Sequence, residues 1–593
     1  MQLRRLRLKL HRKLKRSQKQ AEVLSTQAEQ NIDRHLFKRF GRLSDVRRFV
    51  ISWLALMLII IGLLVAQTIA LSDQYQNVEP VAGGIYKEGV LGTFTNASPI
   101  YATSNVDATV SRLVFAGLLK YDRNNQLVPD LAESYSVSAN GLTHTVKLKP
   151  NLTWHDGQPL TSADVVYTYQ TIQNPDAQSP LQSSWQGISV TATDAQTVTI
   201  KLPSSLAAFP YNLTTGIVPQ HILGKTEPAD LRSSDFNTIK PIGAGPFAWQ
   251  AIEANGDDLD AIQQQIALKP FTQYALGKPK LNEFTVQAYA NKDQLIESFS
   301  GGKLTGVSGL NDTPEQISEM SSANILNIPL NAANMVFFKT TSGVLADKQV
   351  RQALVQSADV EKIVEKLDYS ARLVRSPILI GQVAYDHKYV QAGFDLEQAK
   401  QKLTSAGWIE GKNGLRSKNG QPLEFSLTLS DNTENRMVAK QLQAQWRAVG
   451  ADVKIDIQKQ NDFQNSVADH SYEALLYGIS IGSDPDVYVY WNSSQADIRS
   501  GNRLNFSEFK NTTADTALEA GRTRRDPAIR EVKYRPFLQA WQQEAPALGL
   551  FQPRMLYITN GPVFGLTDHS INTPIGRFNN VENWQIRLAK VTN

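Results

Sequence analysis

The sequence contains no cysteine. That excludes disulfide staples, cysteine-ligated zinc, iron–sulfur clusters, thiol nucleophiles and a lipid-modified N-terminal cysteine. Its histidines, at 11, 35, 144, 155, 221, 387, 470 and 569, nowhere take the HExxH spacing that sets two zinc ligands on one helix face. No internal repeat or low-complexity tract occurs, which argues against solenoids and propellers. With 41% hydrophobic and 20% charged residues, the chain is neither disordered nor fibrous. Only one long uncharged apolar run is present.

The formal net charge of +5 is unevenly spread over the 593 residues. Fifteen lysines and arginines against four acids give residues 1–48 a charge of +11, which leaves −6 for the rest. A mildly acidic body gives no electrostatic footprint for nucleic acid. The run FVISWLALMLIIIGLLVAQTIAL, Phe49 to Leu71, follows the basic head directly. As a helix it would be about 34 Å long, enough for a hydrocarbon core of about 30 Å. The positive-inside rule then sets residues 1–48 in the cytoplasm and the body outside, a single-pass cell-membrane topology. A cleaved secretory signal is the competing reading, with Ala70-Leu71-Ser72 as a small-residue site. The 48-residue charged lead and the length of the run favour an uncleaved anchor. Leu3, Leu6, Leu8, Leu10 and Leu14 among the cations of the head suit either a basic amphipathic helix on the inner leaflet or a plain topology signal.

By length alone the chain holds about four domain-sized units, or fewer large lobes. Residues 72–90 read as a linker. Beyond them, alternating runs at 143–154 and 196–203 predict strands. Apolar spacing over 347–367 predicts one helix, DLEQAKQKLTSAGW (395–408) a helix started by Asp and stopped by Gly, and 436–458 a helix ended by Gly450 and followed by a strand. The class is α/β with at least two lobes.

Two polar clusters invite chemical readings. Trp154-His155-Asp156-Gly157 could supply a base or a metal ligand, or could be an Asp-Gly turn with Trp154 packed beneath it. Pro241-Ile242-Gly243-Ala244-Gly245-Pro246-Phe247 is glycine-rich but lacks the Lys-Ser/Thr of a Walker loop and the dinucleotide spacing, so it reads as a tight loop.

Several stretches together resemble one family. They are VSRLVFAGLLKYDRNNQLVPDLAESYSVSANGLTHTVKLKPNLTWHDGQPLTSADVVYTYQ (110–170), PIGAGPF (241–247), YALGKPKL (274–281), VRQALVQSADVEKIV (350–364), FDLEQAKQKLTSAGW (394–408) and GISIGSDPDVYVYW (478–491). In this order, spread over roughly four-fifths of the chain, they resemble the family 5 extracellular solute-binding proteins, the peptide and nickel receptors of ABC importers. The resemblance implies a two-lobed periplasmic-binding-protein-like fold with a hinge, preceded here by one transmembrane helix. It implies a first lobe at 91–330, a second at 331–547 and a return to the first at 548–593, with crossings near Ile328–Phe337 and Ala547–Gln552.

It also implies a non-enzymatic receptor without cofactor or metal. The expected partners are a peptide or other small solute and the permease and ATPase subunits of an importer, with the receptor itself a monomer. In peptide receptors of this family an aspartate in the loop matching 478–491 pairs with the peptide ammonium. Here Gly482 occupies that place and Asp484 follows two residues later. Asp484 is therefore a candidate for the amine, or a cap for a helix starting at Pro485. Tyr488 and Trp491, three apart on such a helix, are candidate ligand faces or core packing. Asn96 and Tyr101 after the opening strand, and Phe338 and Gln552 beside the crossings, complete the candidate set. Rival readings are a sensor or peptide-binding chaperone of the same fold, and an extracellular hydrolase.

Overall fold

The computed structural model describes residues 47–255, 263–497, 503–566 and 569–592, together with Lys15, Lys19, Val23 and Thr26. The amphipathic reading of the basic head falls almost wholly outside these. The chain divides into two compact units, residues up to Glu79 with 588–593, and Pro80–Arg587.

In the first unit the apolar run forms the helix Arg47–Tyr75, whose Phe49–Thr68 stretch has a mean hydropathy of 2.9 and holds no buried residue. Among the described residues it is the one helix long and apolar enough to cross a membrane. The stretch read as a linker is largely structured: the helix runs on to Tyr75, Gln76–Val81 is a strand, and Ile85 already begins another. Tyr86 and Val90, buried on one face of that strand, are the apolar signal that assigns it to the body.

The second unit is built on two large mixed sheets. One has seven strands in the order 323–329, 554–560, 306–308, 85–91, 283–289, 263–270 and 247–255. The other has five, in the order 452–458, 424–430, 474–480, 332–338 and 547–551. A four-stranded antiparallel sheet containing Thr143–Leu148 and Thr197–Lys201 lies on the side of the first; both strands alternate in burial, as their sequences do.

The chain leaves the seven-stranded sheet at Pro329 and enters the five-stranded one at Ala332. It remains there through Phe551, which pairs with Asn334, and rejoins the first at Arg554, so a boundary drawn at 547/548 falls inside a strand. The linking segments are Leu330-Asn331 and Gln552-Pro553.

Each lobe has its own core. Helix Thr433–Ala448 turns Val438, Ala439, Leu442 and Trp446 inward, and the Trp446 indole donates to Leu354 O at 2.9 Å. Gly450, at φ +98°, then takes the left-handed turn that a side chain resists and starts the strand Asp452–Gln458. The helix expected over 347–367 is in fact two, Lys348–Gln356 and Val360–Val364. Asp359 breaks it by accepting from Lys362 N, a local cap that competes with helix continuation.

Trp154 is fully buried. His155 above it is neither base nor ligand: its Nδ1 accepts from Gly243 N at 3.2 Å and its Nε2 lies 3.0 Å from Gly245 O. The ring thus staples the glycine-rich loop to the turn. The glycines are needed there because a Cβ on Gly243 would stand 1.9 Å from Val114 O.

Candidate functional site

A cavity of about 670 Å³ opens between the lobes, a size suited to a small ligand. The first lobe contributes Tyr121 and Tyr211, whose rings stack at 6.1 Å, and the segment around Ser205. The second contributes the loop Ile481–Asp486 and Arg522 at the end of helix Thr512–Arg522.

The loop is fixed from below by the hinge. Asn331, in the first linking segment, accepts with its carbonyl from Ile481 N and Gly482 N, both at 2.9 Å. Its Nδ2 donates to Asn572 Oδ1 at 2.8 Å, and Asn572 Oδ1 also accepts from Asn125 Nδ2 and Ser483 Oγ, each at 2.9 Å. Gly482 takes φ +76° where the strand Ala474–Ser480 turns into the loop.

Hydrogen bonds run directly between the lobes. Ala207 N donates to Arg522 O at 2.9 Å, Ser205 Oγ to Thr523 O at 3.0 Å, and Asn125 Nδ2 to Ser483 Oγ at 3.1 Å.

Both carboxylates of Asp484-Pro485-Asp486 are already paired. Asp484 accepts from Arg530 at 2.7 and 2.6 Å, a two-pronged bridge with both side chains at least nine-tenths buried. Burial lowers the Arg530 pKa, but the hydrogen bonds and charge of Asp484 outweigh it and raise it overall. Asp486 accepts from Arg522 at 2.8 and 3.2 Å; burial pushes its carboxyl upward, with the neighbouring charge of Asp484 adding to the push against Arg522. Asp484 does not cap a helix. The single turn Tyr488–Trp491 begins beyond it, and its N-cap, Val487, has no side-chain bond.

A sequence model for bacterial extracellular solute-binding proteins, family 5, matches residues 126–500. The chain belongs to this family. Its members are substrate receptors, not enzymes. Oligopeptide-binding protein AppA of Bacillus subtilis is 26% identical over 487 residues, 80% of this chain and 87% of its own. The structure of that AppA in complex with a nonapeptide matches with a TM-score of 0.68 at 25% identity, over 86% of this chain and 100% of its own. The ABC transporter substrate-binding protein CtaP of Listeria monocytogenes gives 0.73 at 25% identity, over 85% and 99%. NikZ of Campylobacter jejuni, in complex with Ni(L-His), gives 0.71 at 24%, over 85% and 99%, and shares the fold.

Within this family 5 protein the candidate residues scatter. Asp484 lines the interlobe cavity. Tyr488 is half-buried beneath the Arg522 guanidinium, 4.2 Å from its ring centre. Trp491 is fully buried between Phe337 and Trp541, a core residue of the second lobe, and Phe338 is equally buried beside Trp446. Asn96 caps its own turn by accepting from Ser98 N at 2.8 Å. Tyr101 lies in the first-lobe core with Arg232 over its ring. Gln552 braces the second linking segment by donating to Leu330 O.

Sequence reasoning missed Tyr121, Tyr211, Arg522, Arg530, Asn331 and Asn572, none of which sits in a local motif. It also passed over Gly478-Ile479-Ser480-Ile481-Gly482, which has the Gly-x-Ser-x-Gly spacing of a nucleophile elbow. Ser480 lies instead at the end of a strand paired with Ala332, and its carbonyl accepts from Tyr490 Oη at 2.8 Å. No histidine bonds its hydroxyl among the described residues, so the elbow is one of spacing alone.

Proposed function

We propose that this protein is the membrane-anchored, extracytoplasmic receptor of an ABC importer, capturing peptides between its lobes and delivering them to a permease. The observation that carries this reading is the interlobe cavity, walled by both lobes, with direct hydrogen bonds running from one lobe to the other. Binding is the whole reaction: a solute that touches both walls favours the closed arrangement by its differential affinity for it. Residues 85–329 and 554–587 act as one lobe and 332–551 as the other, rotating about the two linking segments, where few residues absorb the change. The names of the relatives support peptides as cargo.

The apolar helix supports anchoring, with the basic head on the cytoplasmic side. A helical anchor keeps the receptor at high effective concentration near its permease, as a lipid anchor would. Permease and ATPase are separate chains, and the receptor acts as a monomer.

The test is to purify the full chain in mild detergent from its native host, release what is bound and identify it by mass spectrometry. Short peptides, recovered intact, are the expected result. A single non-peptide solute would refute the peptide assignment, and hydrolysed fragments that accumulate with time would refute the receptor itself.

A further inference from the structure

The ionic groups around the interlobe cavity, taken one by one, are nearly all satisfied within the protein. Asp484 is held by Arg530 and Asp486 by Arg522. A second cavity, of about 150 Å³, shares Tyr121 and Asn572 with the first and extends into the first lobe. Two cations line it. Lys120 is committed to Glu582 at 2.8 Å, both side chains buried. Arg112, in the last turn of helix Asn105–Val114, makes no hydrogen bond or ion pair with any described residue.

The neighbours of Arg112 point to a ligand as well. Asn125, only 7% exposed, lines the small cavity with an Oδ1 that has no hydrogen-bond partner in the protein, although its Nδ2 bonds Ser483 and Asn572. Asn572 Nδ2 likewise makes no hydrogen bond of ordinary length and angle, with only the Tyr121 hydroxyl interacting weakly with it. The carboxyl whose charge couples to Arg112 is Asp130, which is fully buried, bonded to Tyr274 Oη at 2.9 Å and pushed upward by burial. It moderates the field of the arginine without taking its hydrogens.

An arginine is charged at every relevant pH, and its planar donors match a carboxylate two-pronged. Left half-buried without a partner, it is costly unless an anion arrives. We propose that the small cavity is an anion subsite, in which Arg112 and the Nδ2 of Asn572 receive a carboxylate of the bound solute, leaving Asn125 Oδ1 to accept an adjacent N–H. Among the described residues, both carboxylates that line the cavities are held by arginines, Asp486 through Oδ2 with its Oδ1 left unpartnered, so neither carries an uncompensated charge for an ammonium. The preferred cargo is therefore a solute with a free carboxylate and a dispensable amine. This inference rests on the receptor reading above and adds the charge type that the site selects.

The test uses the full chain in detergent, stripped of bound solute, and four pools of short random peptides: unmodified, N-acetylated, C-amidated and blocked at both ends. Binding of each pool is measured to wild type, Arg112→Gln and Arg112→Lys, with thermal unfolding as a check on folding. A charge-assisted hydrogen-bond pair is worth about 1.5–3 kcal/mol, so amidation should weaken wild-type binding roughly tenfold to hundredfold. N-acetylation should change it little. Arg112→Gln should erase the preference for acid over amide, and Arg112→Lys should keep part of it. Equal binding of acid and amide pools by wild type, or a preference that survives in Arg112→Gln, would overturn the subsite while leaving the receptor reading intact. Binding of no pool at all would overturn the peptide reading and this inference with it. The comparison of pools on wild type needs no variant to fold.

Discussion

Asp484 holds Arg530 through two hydrogen bonds, with both side chains at least nine-tenths buried. Breaking such a pair strands its partner. Asp484→Ala should therefore cost about 3–5 kcal/mol in urea unfolding, while Asp484→Ala combined with Arg530→Met should cost clearly less than the sum of the single changes. Additive losses would mean that the pair is not coupled. His155 yields a pH prediction. Burial lowers its pKa from 6.5 to about 4 in the fold. Above 6.5 both folded and unfolded states are neutral there and the stability is complete. As pH falls from 6.5 towards 4, the unfolded chain takes up a proton that the fold refuses, so stability is lost over that window. The urea midpoint should fall less steeply with pH in His155→Gln than in wild type, and an NMR titration of His155 near 6.5 would contradict it. At this scale, Asp484 was legible as a polar residue in an Asp-Pro-Asp turn, but its partner was not. Arg530 lies 46 residues away on the helix Pro527–Glu544, a separation that only tertiary structure closes. Trp491 shows the matching ambiguity, since core and cleft both call for an aromatic at helical spacing.

Elements read well where a local signal starts or stops them. Asp395 accepts from Gln398 N and starts the helix Leu396–Ser405, with Gly407 at φ +85° just beyond its end. The sequence 347–367 read less well, because apolar periodicity continues across a break made by one capping aspartate. The glycine-rich loop was recognised as tight, yet what it is tight against, Val114 O from a helix more than a hundred residues earlier, is a tertiary fact. Gly243→Ala should therefore lower thermal stability, by about 1–3 kcal/mol as overpacking does. Gly393→Ala, where a Cβ meets nothing within 4 Å, should stay within about 0.5 kcal/mol of wild type. Equal effects at the two positions would contradict the close approach.

For the whole molecule, the ordered family resemblance carried the two-lobed architecture, and the structure and the family match agree with it. The wall of the cleft was much less legible. Its stacked tyrosines, paired arginines and asparagine hub come from segments far apart in sequence, and each residue alone looks like ordinary surface or core. Asn572, for instance, belongs to the return segment but joins Asn125, Asn331 and Ser483 at one point beside the hinge. The central claim is that the lobes close around a solute that leaves unaltered. Because the chain has no cysteine, Lys201→Cys and Ala528→Cys, both exposed and on different lobes, can be labelled without background. The most direct measurement is energy transfer between those labels in the stripped chain before and after its released solute is added back. The account predicts a shorter and narrower inter-label distance, reversed on washing, with the solute recovered intact. An inter-label distance that the solute leaves unchanged, or a solute recovered cleaved, would contradict it.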